Sequence, residues 1–270
     1  MGNKRLRSAG LDLLLLTAIV SLSLHLLMLL SWPMIEAWRH RPRRGMQVDQ
    51  RYDVVVDEDA KNVAKPVDYL IYLPPDYTRR SKWPLVVYLH GSGSRGRDLN
   101  IVRREGLPGL VEQGKKFDFI LLSPQCPLRV GWNPEIVVGL IEHVCSSLSV
   151  DRDRVYMTGY SMGGFGTWNV AAYDPSRFAA IAPLAGGGDV NQAKRLKNVS
   201  VWAFHGAKDY AVPLEWEKAM VDAVKQEGGR AKLTVYPDGG HGICGIAYQT
   251  TQFYEWLLAQ RRIEPLKQPQ

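Results

Sequence analysis

"VYMTGYSMGGFGTWNVAAYDP", residues 155–175, passes from a β-branched and aromatic run through a knot of glycines around one serine into a helix-patterned stretch. The run before the serine has the composition of a strand and the stretch after it the periodicity of a helix. Between them Gly159, Ser161 and Gly163 keep a Gly-x-Ser-x-Gly spacing, which suits a very sharp strand-to-helix turn in which side chains two residues before and after the serine would collide. Such a turn lifts the serine hydroxyl above the sheet. It also sets Ser161 at the amino end of a helix, where N–H groups and the helix dipole favour developing negative charge.

Working outward, short apolar runs alternate with helix patterns from about residue 50 onward. "YDVVVD" and "VDYLIYLP" predict an opening antiparallel pair, and "PLVVYLH", "DFILLSP", "RVYMTGYS", "FAAIAPLAG", "VSVWAFHG" and "KLTVYP" predict six further strands. Several of these are apolar on both faces, as in the middle of a helix-covered parallel sheet. Helix patterns fall at "PEIVVGLIEHVCSSL", "GGFGTWNVAAYD", "VPLEWEKAMVDAVKQEGG" and "YQTTQFYEWLLAQRR". The alternation predicts an α/β domain over residues 51–263 without a second domain, followed by a frayed tail over 264–270.

A serine alone is a weak nucleophile, so a base and an orienting group are expected at the same sheet edge, after later strands. "HGAKDYAVP" offers Asp209 after the seventh strand and "DGGHGICG" offers His241 after the eighth. The chain order Ser, Asp, His matches that of a nucleophile-elbow hydrolase sheet. In this reading His241 is general base, Asp209 holds its tautomer, and the oxyanion donors are the N–H groups of Met162 and of Ser92 in "LHGSGSRG". His90 and His205 read as neutral braces of their loops, His143 as a packed or solvated helix residue, and Asp189 as a cap for the helix "VNQAKRLK". Asp238, three residues before His241, is badly placed to orient it. No metal and no cofactor is expected.

The composition is that of a globular protein, 46% hydrophobic and 23% charged over 270 residues. The net charge of +7 is concentrated at the start, where Lys4, Arg5, Arg7, Arg39, Arg41, Arg43 and Arg44 face only Asp12, Glu36 and Asp49. No basic face with interleaved aromatics follows, so nucleic acid is not an expected partner. Three cysteines, Cys126, Cys145 and Cys244, show no CxxC spacing and read as apolar fillers, with a Cys126–Cys244 bridge left open.

Residues 13–30, "LLLLTAIVSLSLHLLMLL", carry no formal charge and as a helix would measure about 27 Å, enough to span a bilayer. Trp32 and Trp38 lie where an interfacial belt would form, and no small-residue cleavage site follows. We therefore expect a basic flank over 1–10, a single-pass signal-anchor over 11–35 and a juxtamembrane linker over 36–50. The domain beyond them would be membrane-tethered and extracytoplasmic.

"YLHGSGSRG", "SPQCP…GW", "GYSMGGFGTW", "FHGAKDYAVP" and "YPDGGHGICGIAY" together resemble the α/β-hydrolase superfamily. Within it they are similar to compact bacterial esterases of the predicted-peptidase, phospholipase/carboxylesterase and prolyl-oligopeptidase-like group, near the feruloyl-esterase type. The resemblance runs from about residue 68 to 258. It implies an α/β-hydrolase fold with a mostly parallel eight-stranded sheet and helices on both faces, with catalysis by Ser161, Asp209 and His241. It further implies that Gln125 and Trp132 line the acyl or alcohol pocket, and that the substrate is a small or aryl ester cleaved through an acyl-enzyme. Dienelactone hydrolases share the architecture but use cysteine at the elbow, where this chain has serine. The anchor and the "HGIC" run depart from the group, and no lid insertion separates the sixth and seventh strands. Acyl transfer, peptide cleavage, or a tethered binding role without catalysis are the alternative readings.

Overall fold

The computed structural model describes residues 42–58 and 61–263. Eight strands form one sheet: β1 (Gln47–Glu58), β2 (Lys61–Tyr72), β3 (Trp83–Leu89), β4 (Ile120–Pro124), β5 (Val150–Tyr160), β6 (Ala180–Leu184), β7 (Ser200–Gly206) and β8 (Ala231–Tyr236). Their spatial order is β1-β2-β4-β3-β5-β6-β7-β8. β1 and β2 make a long hairpin with Gln47 opposite Tyr72, and β2 meets β4 antiparallel. Every later pair is parallel. β3, β4 and β6 are buried almost throughout, as strands covered on both faces must be.

Seven α-helices accompany the sheet among the described residues: α1 (Leu99–Val102), α2 (Gly106–Glu112), α3 (Pro134–Ser147), α4 (Met162–Tyr173), α5 (Leu214–Gln226), α6 (Cys244–Ala247) and α7 (Thr251–Ala259). Strand alternation divides the core in two. Leu85, Val87 and Leu89 of β3 pack in one cluster with Val137, Leu140 and Val144 of α3 and Met220, Val221 and Val224 of α5. Val86 and Tyr88 pack in the other with Leu107 and Val111 of α2 and Phe253 and Leu257 of α7. α3 starts where Asn133 caps it, accepting from the amides of Glu135 and Ile136, with Pro134 at its first position. α4 has no polar stripe: Gly163, Gly164, Gly166, Thr167, Trp168, Val170, Ala171 and Ala172 are all buried.

One expectation is corrected. Residues 47–50, read as linker, belong to β1, because Val48 is buried and Gln47 anchors the strand by donating from Nε2 to Pro108 O at 2.9 Å. Their polar composition hid a strand whose outward residues are hydrophilic. The helix after Asp189, Val190–Leu196, is of the 3-10 type, and Asp189 caps it through Asn191 N at 3.0 Å. The three cysteines are free thiols, so Cys126 and Cys244 are not bridged. The proposed flank, anchor and first part of the linker, residues 1–41, and the tail over 264–270 lie outside the described residues. Among the described residues no helix is long and apolar enough to cross a membrane.

Candidate active site

The turn from β5 into α4 holds Ser161 at φ 56°, ψ −118°, a left-handed conformation that costs a non-glycine residue roughly 1–3 kcal/mol. Two backbone bonds fix it: Ser161 N donates to Leu184 O at 2.9 Å, and Phe165 N donates to Ser161 O at 3.0 Å. The flanking glycines are forced by close approach. A Cβ on Gly159 would lie 2.3 Å from Gly163 O, and one on Gly163 would lie 1.8 Å from Leu89 O. The crowding therefore comes from the end of β3 as well as from the turn itself.

The structure brings Ser161, His241 and Asp209 together from three separate loops. His241 Nε2 is 2.9 Å from Ser161 Oγ, and His241 Nδ1 is 2.8 Å from Asp209 Oδ2. A carboxylate can only accept, so Nδ1 carries the hydrogen and Nε2 is left to accept from the serine hydroxyl. Asp209 Oδ1 accepts from the amides of Ala211 and Val212, both at 2.9 Å. The Asp209 side chain is wholly buried while His241 is 30% exposed, so the imidazole reaches solvent and the carboxylate does not. Burial pushes the Asp209 carboxyl up, but the bond from His241 and the two amides outweigh it and hold the group below its ordinary value. Asp238 points elsewhere, paired with Lys208 Nζ on the surface.

Met162 opens α4, so its N–H has no carbonyl four residues back within the helix to pair with. Ser92 opens a 3-10 turn, Ser92–Ser94, directly after β3. Within that loop Gly91 N is committed to Glu105 Oε1 at 2.8 Å and Ser94 N to Gly91 O at 3.2 Å, whereas Ser92 is exposed. Glu105 also accepts from Tyr88 Oη at 3.1 Å and from Ser94 Oγ, so one carboxylate fastens the loop at three points. Sequence reasoning did not single it out. His90 braces the same loop: Nδ1 donates to Gly91 O at 2.6 Å and Nε2 accepts from Cys126 N at 3.0 Å, and burial lowers its pKa, as suits a neutral ring.

His205 braces its loop, as expected, and does so between two carboxylates. It is fully buried against two carboxylates, with Nδ1 3.4 Å from Glu217 Oε2 and Nε2 3.4 Å from Asp209 Oδ2. Burial lowers its pKa, but the contacts with Glu217, Val212 O and Asp209 win and raise it. Glu217, on α5, is itself fully buried and was missed from sequence.

Gln125 and Trp132 sit on the β4–α3 side. Gln125 Nε2 donates to Ser94 O at 2.9 Å and Asp98 O at 3.0 Å, and Trp132 Nε1 donates to His90 O at 3.2 Å. Both line a cavity of about 390 Å³ whose walls include Val67, Arg97, Ile136 and Leu140 but none of Ser161, Asp209 or His241. Among the described residues no group of three or more His, Cys, Asp or Glu side chains converges to hold a metal ion.

A family model described as the dienelactone hydrolase family matches residues 134–247, an interval that contains Ser161, Asp209 and His241. The solved structure of a thermostable esterase superposes with a TM-score of 0.65 at 29% identity, covering 78% of this chain and 63% of that one. The chain has the α/β-hydrolase fold. It is 32% identical over 117 residues to a carboxymethylenebutenolidase-like protein of Salmonella typhimurium, covering 39% of this chain and 43% of the relative. It is 25% identical over 201 residues to feruloyl esterase D of Neurospora crassa, covering 68% of each. The chain thus spans less than half the length of the carboxymethylenebutenolidase-like relative.

Proposed function

We propose that the chain is a serine ester hydrolase acting on small or aryl carboxylic esters through an acyl-enzyme. The observation that carries this reading is the unbroken hydrogen-bonded series from Ser161 Oγ through His241 to Asp209. In the first half-reaction the Ser161 hydroxyl gives its proton to His241 Nε2 as Oγ attacks the ester carbonyl carbon. The imidazolium so formed is held by the Asp209 carboxylate and then protonates the departing alcohol. A water deprotonated by His241 attacks the acyl carbon in the second half, returning the proton to Ser161. The N–H groups of Ser92 and Met162 are the proposed oxyanion donors, each contributing on the order of 3 kcal/mol. Partial exposure of His241 favours water over a second alcohol as acceptor, which supports hydrolysis over acyl transfer.

The feruloyl esterase name of one relative supports the aryl-ester class. The hydropathy of residues 13–30 supports a membrane tether, and the analogy with a signal-anchor favours a catalytic domain outside the cytoplasm. The deciding experiment is fluorophosphonate labelling of the full chain with peptide mapping, alongside turnover of p-nitrophenyl acetate and methyl ferulate. Label on Ser161, and loss of roughly 10⁴-fold or more in kcat for Ser161→Ala, are expected. Unlabelled protein, or a Ser161→Ala variant with unchanged turnover, would overturn the assignment.

A further inference from the structure

Asp209 has a second imidazole behind it. Its Oδ2, which accepts from His241 Nδ1, also lies 3.4 Å from His205 Nε2. His205 stands at the end of β7 with no exposed surface. Its Nε2 is 3.0 Å from Val212 O, and a carbonyl oxygen brings no hydrogen, so Nε2 must carry one. Its Nδ1 faces Glu217 Oε2 at 3.4 Å.

The protonation of Nδ1 follows from what Glu217 already does. Glu217 Oε1 accepts from Trp168 Nε1 at 2.7 Å and Oε2 accepts from Gly186 N at 2.6 Å. Both oxygens are thus committed as acceptors of N–H donors, the pattern of an ionised carboxylate. No lysine or arginine pairs with Glu217 among the described residues, and the group is entirely desolvated. A bare Nδ1 lone pair facing that carboxylate would be repelled, whereas an N–H supplies the missing countercharge. Asp209, from the β7–α5 loop, adds a second buried negative charge on the opposite edge of the same ring.

We propose that His205 is a permanent imidazolium, held by Glu217, that positions Asp209 and sets the pH at which His241 becomes a free base. This rests on the triad reading given above, in which His241 is the base. The groups facing His205 are Glu217 from α5, Asp209 and the Val212 carbonyl from the β7–α5 loop, and, beyond Asp209, His241 from the loop after β8. The cation withdraws part of the Asp209 field from His241. With a neutral side chain in place of that cation, His241 would face the full Asp209 charge. His205 and Glu217 touch no reacting atom; they are positioning residues. Glu217 has a mechanical share in this as well. By binding Gly186 N beside β6 and Trp168 in α4 it ties both walls of the elbow to α5.

The test uses the full chain and two readouts. The first is the ¹⁵N shift pair of the His205 ring at pH 8, where an unperturbed imidazole is neutral. Both nitrogens should show protonated, imidazolium-type shifts in the wild type, and this pattern should be lost in Glu217→Gln. The second is the pH dependence of kcat/KM for p-nitrophenyl acetate in His205→Gln, whose amide keeps a donor without the charge. The midpoint of the acidic limb should move upward by about one pH unit. A purely structural role would lower the plateau and leave the midpoint in place. A neutral His205 at pH 8 in the wild type overturns the proposal, as does an unmoved limb in folded His205→Gln. The ring shifts need no turnover, so a failure of the Ser161 assignment, read by fluorophosphonate labelling, is distinguishable from a failure of this one.

Discussion

Replacing Gly163 by alanine adds one methyl group at the point where α4 leaves the elbow. The new Cβ would sit 1.8 Å from Leu89 O, 2.5 Å from Leu89 C and 2.9 Å from His90 O. All three are backbone atoms at the end of β3, so no rotamer change relieves the contact. To reach even 3.0 Å from Leu89 O the helix start and the strand end must part by about 1.2 Å, given the 1.8 Å starting separation. Alanine in a helix gains roughly 0.5–1 kcal/mol over glycine, whereas overpacking of a close-packed core costs about 1–3 kcal/mol. The clash wins. We expect a net loss of about 1–2 kcal/mol, a fall in Tm of several degrees for a domain of this size.

The effect on rate should exceed that on stability. The helix start carries Met162 N, and Ser161 is one residue further back, so a shift on the order of 1 Å misplaces both the proposed nucleophile and the proposed donor. Such displacements cost about 10²-fold in turnover. Gly93 is the matched control. It lies in the loop after β3, and its added Cβ would meet nothing within 4 Å. Gly93→Ala should stay within about 0.5 kcal/mol of wild type and within a few-fold in rate. Ester turnover and thermal unfolding of the two variants side by side provide the assay. A Gly163→Ala protein with wild-type rate and Tm would show that close backbone approach is not what the glycine serves.

Asp209→Asn keeps an acceptor for the Ala211 and Val212 amides but removes the charge that faces His241, so kcat should fall on the order of 10³–10⁴ with the fold intact, read by turnover and circular dichroism. Glu105→Ala releases Gly91 N, Ser94 Oγ and Tyr88 Oη together, and turnover should drop by about 10- to 100-fold with a smaller change in KM. Glu142 is held down to about 2 from 4.5, chiefly by the hydrogen bond from Arg152, with burial opposing and Arg177 adding to it. A depressed carboxyl stabilises the fold above its unfolded value and loses that contribution as pH falls through the folded one. Wild type should therefore exceed Glu142→Gln in Tm at pH 7, by an amount equivalent to about 1 kcal/mol for so exposed a pair, and the gap should close between pH 4.5 and 2.

The order of strands and the main helices were legible because their signals are periodic and local. "PLVVYLH" and "FAAIAPLAG" are apolar on both faces, and they proved to be β3 and β6 in the buried middle of the sheet. The placement of Ser161, Asp209 and His241 was also legible, since each follows a strand and a parallel sheet gathers strand ends at one edge. α1, α2 and α6 were not foreseen. They run only four, seven and four residues, too short for a 3.6-residue period to declare itself. Residues 47–50 hid because three of the four are polar, and one of these, Gln47, is buried and bonded to Pro108 O.

Glu217 marks a different kind of omission, since the signal was present and the reading passed over it. In "LEWEKAMVDAVKQ" the buried positions are 217, 220, 221 and 224, the i, i+3, i+4, i+7 face that meets the sheet. Three of these are Met220, Val221 and Val224; the first is a glutamate, an acid on the apolar stripe. Glu215, two residues earlier on the same helix, lies outside that stripe and is an ordinary surface charge. A carboxylate on the inward face implies a buried donor set, and the histidine near the end of the preceding strand is one candidate. Glu105 carries no such signal: it precedes α2, is half-buried, and turns toward the loop after β3. Sequence periodicity thus identifies where an acid must find partners, while only the packing of strand ends decides which nitrogen it finds. That division explains why the three groups nearest the proposed chemistry could be read from the chain and the partners of the two carboxylates that hold their surroundings could not.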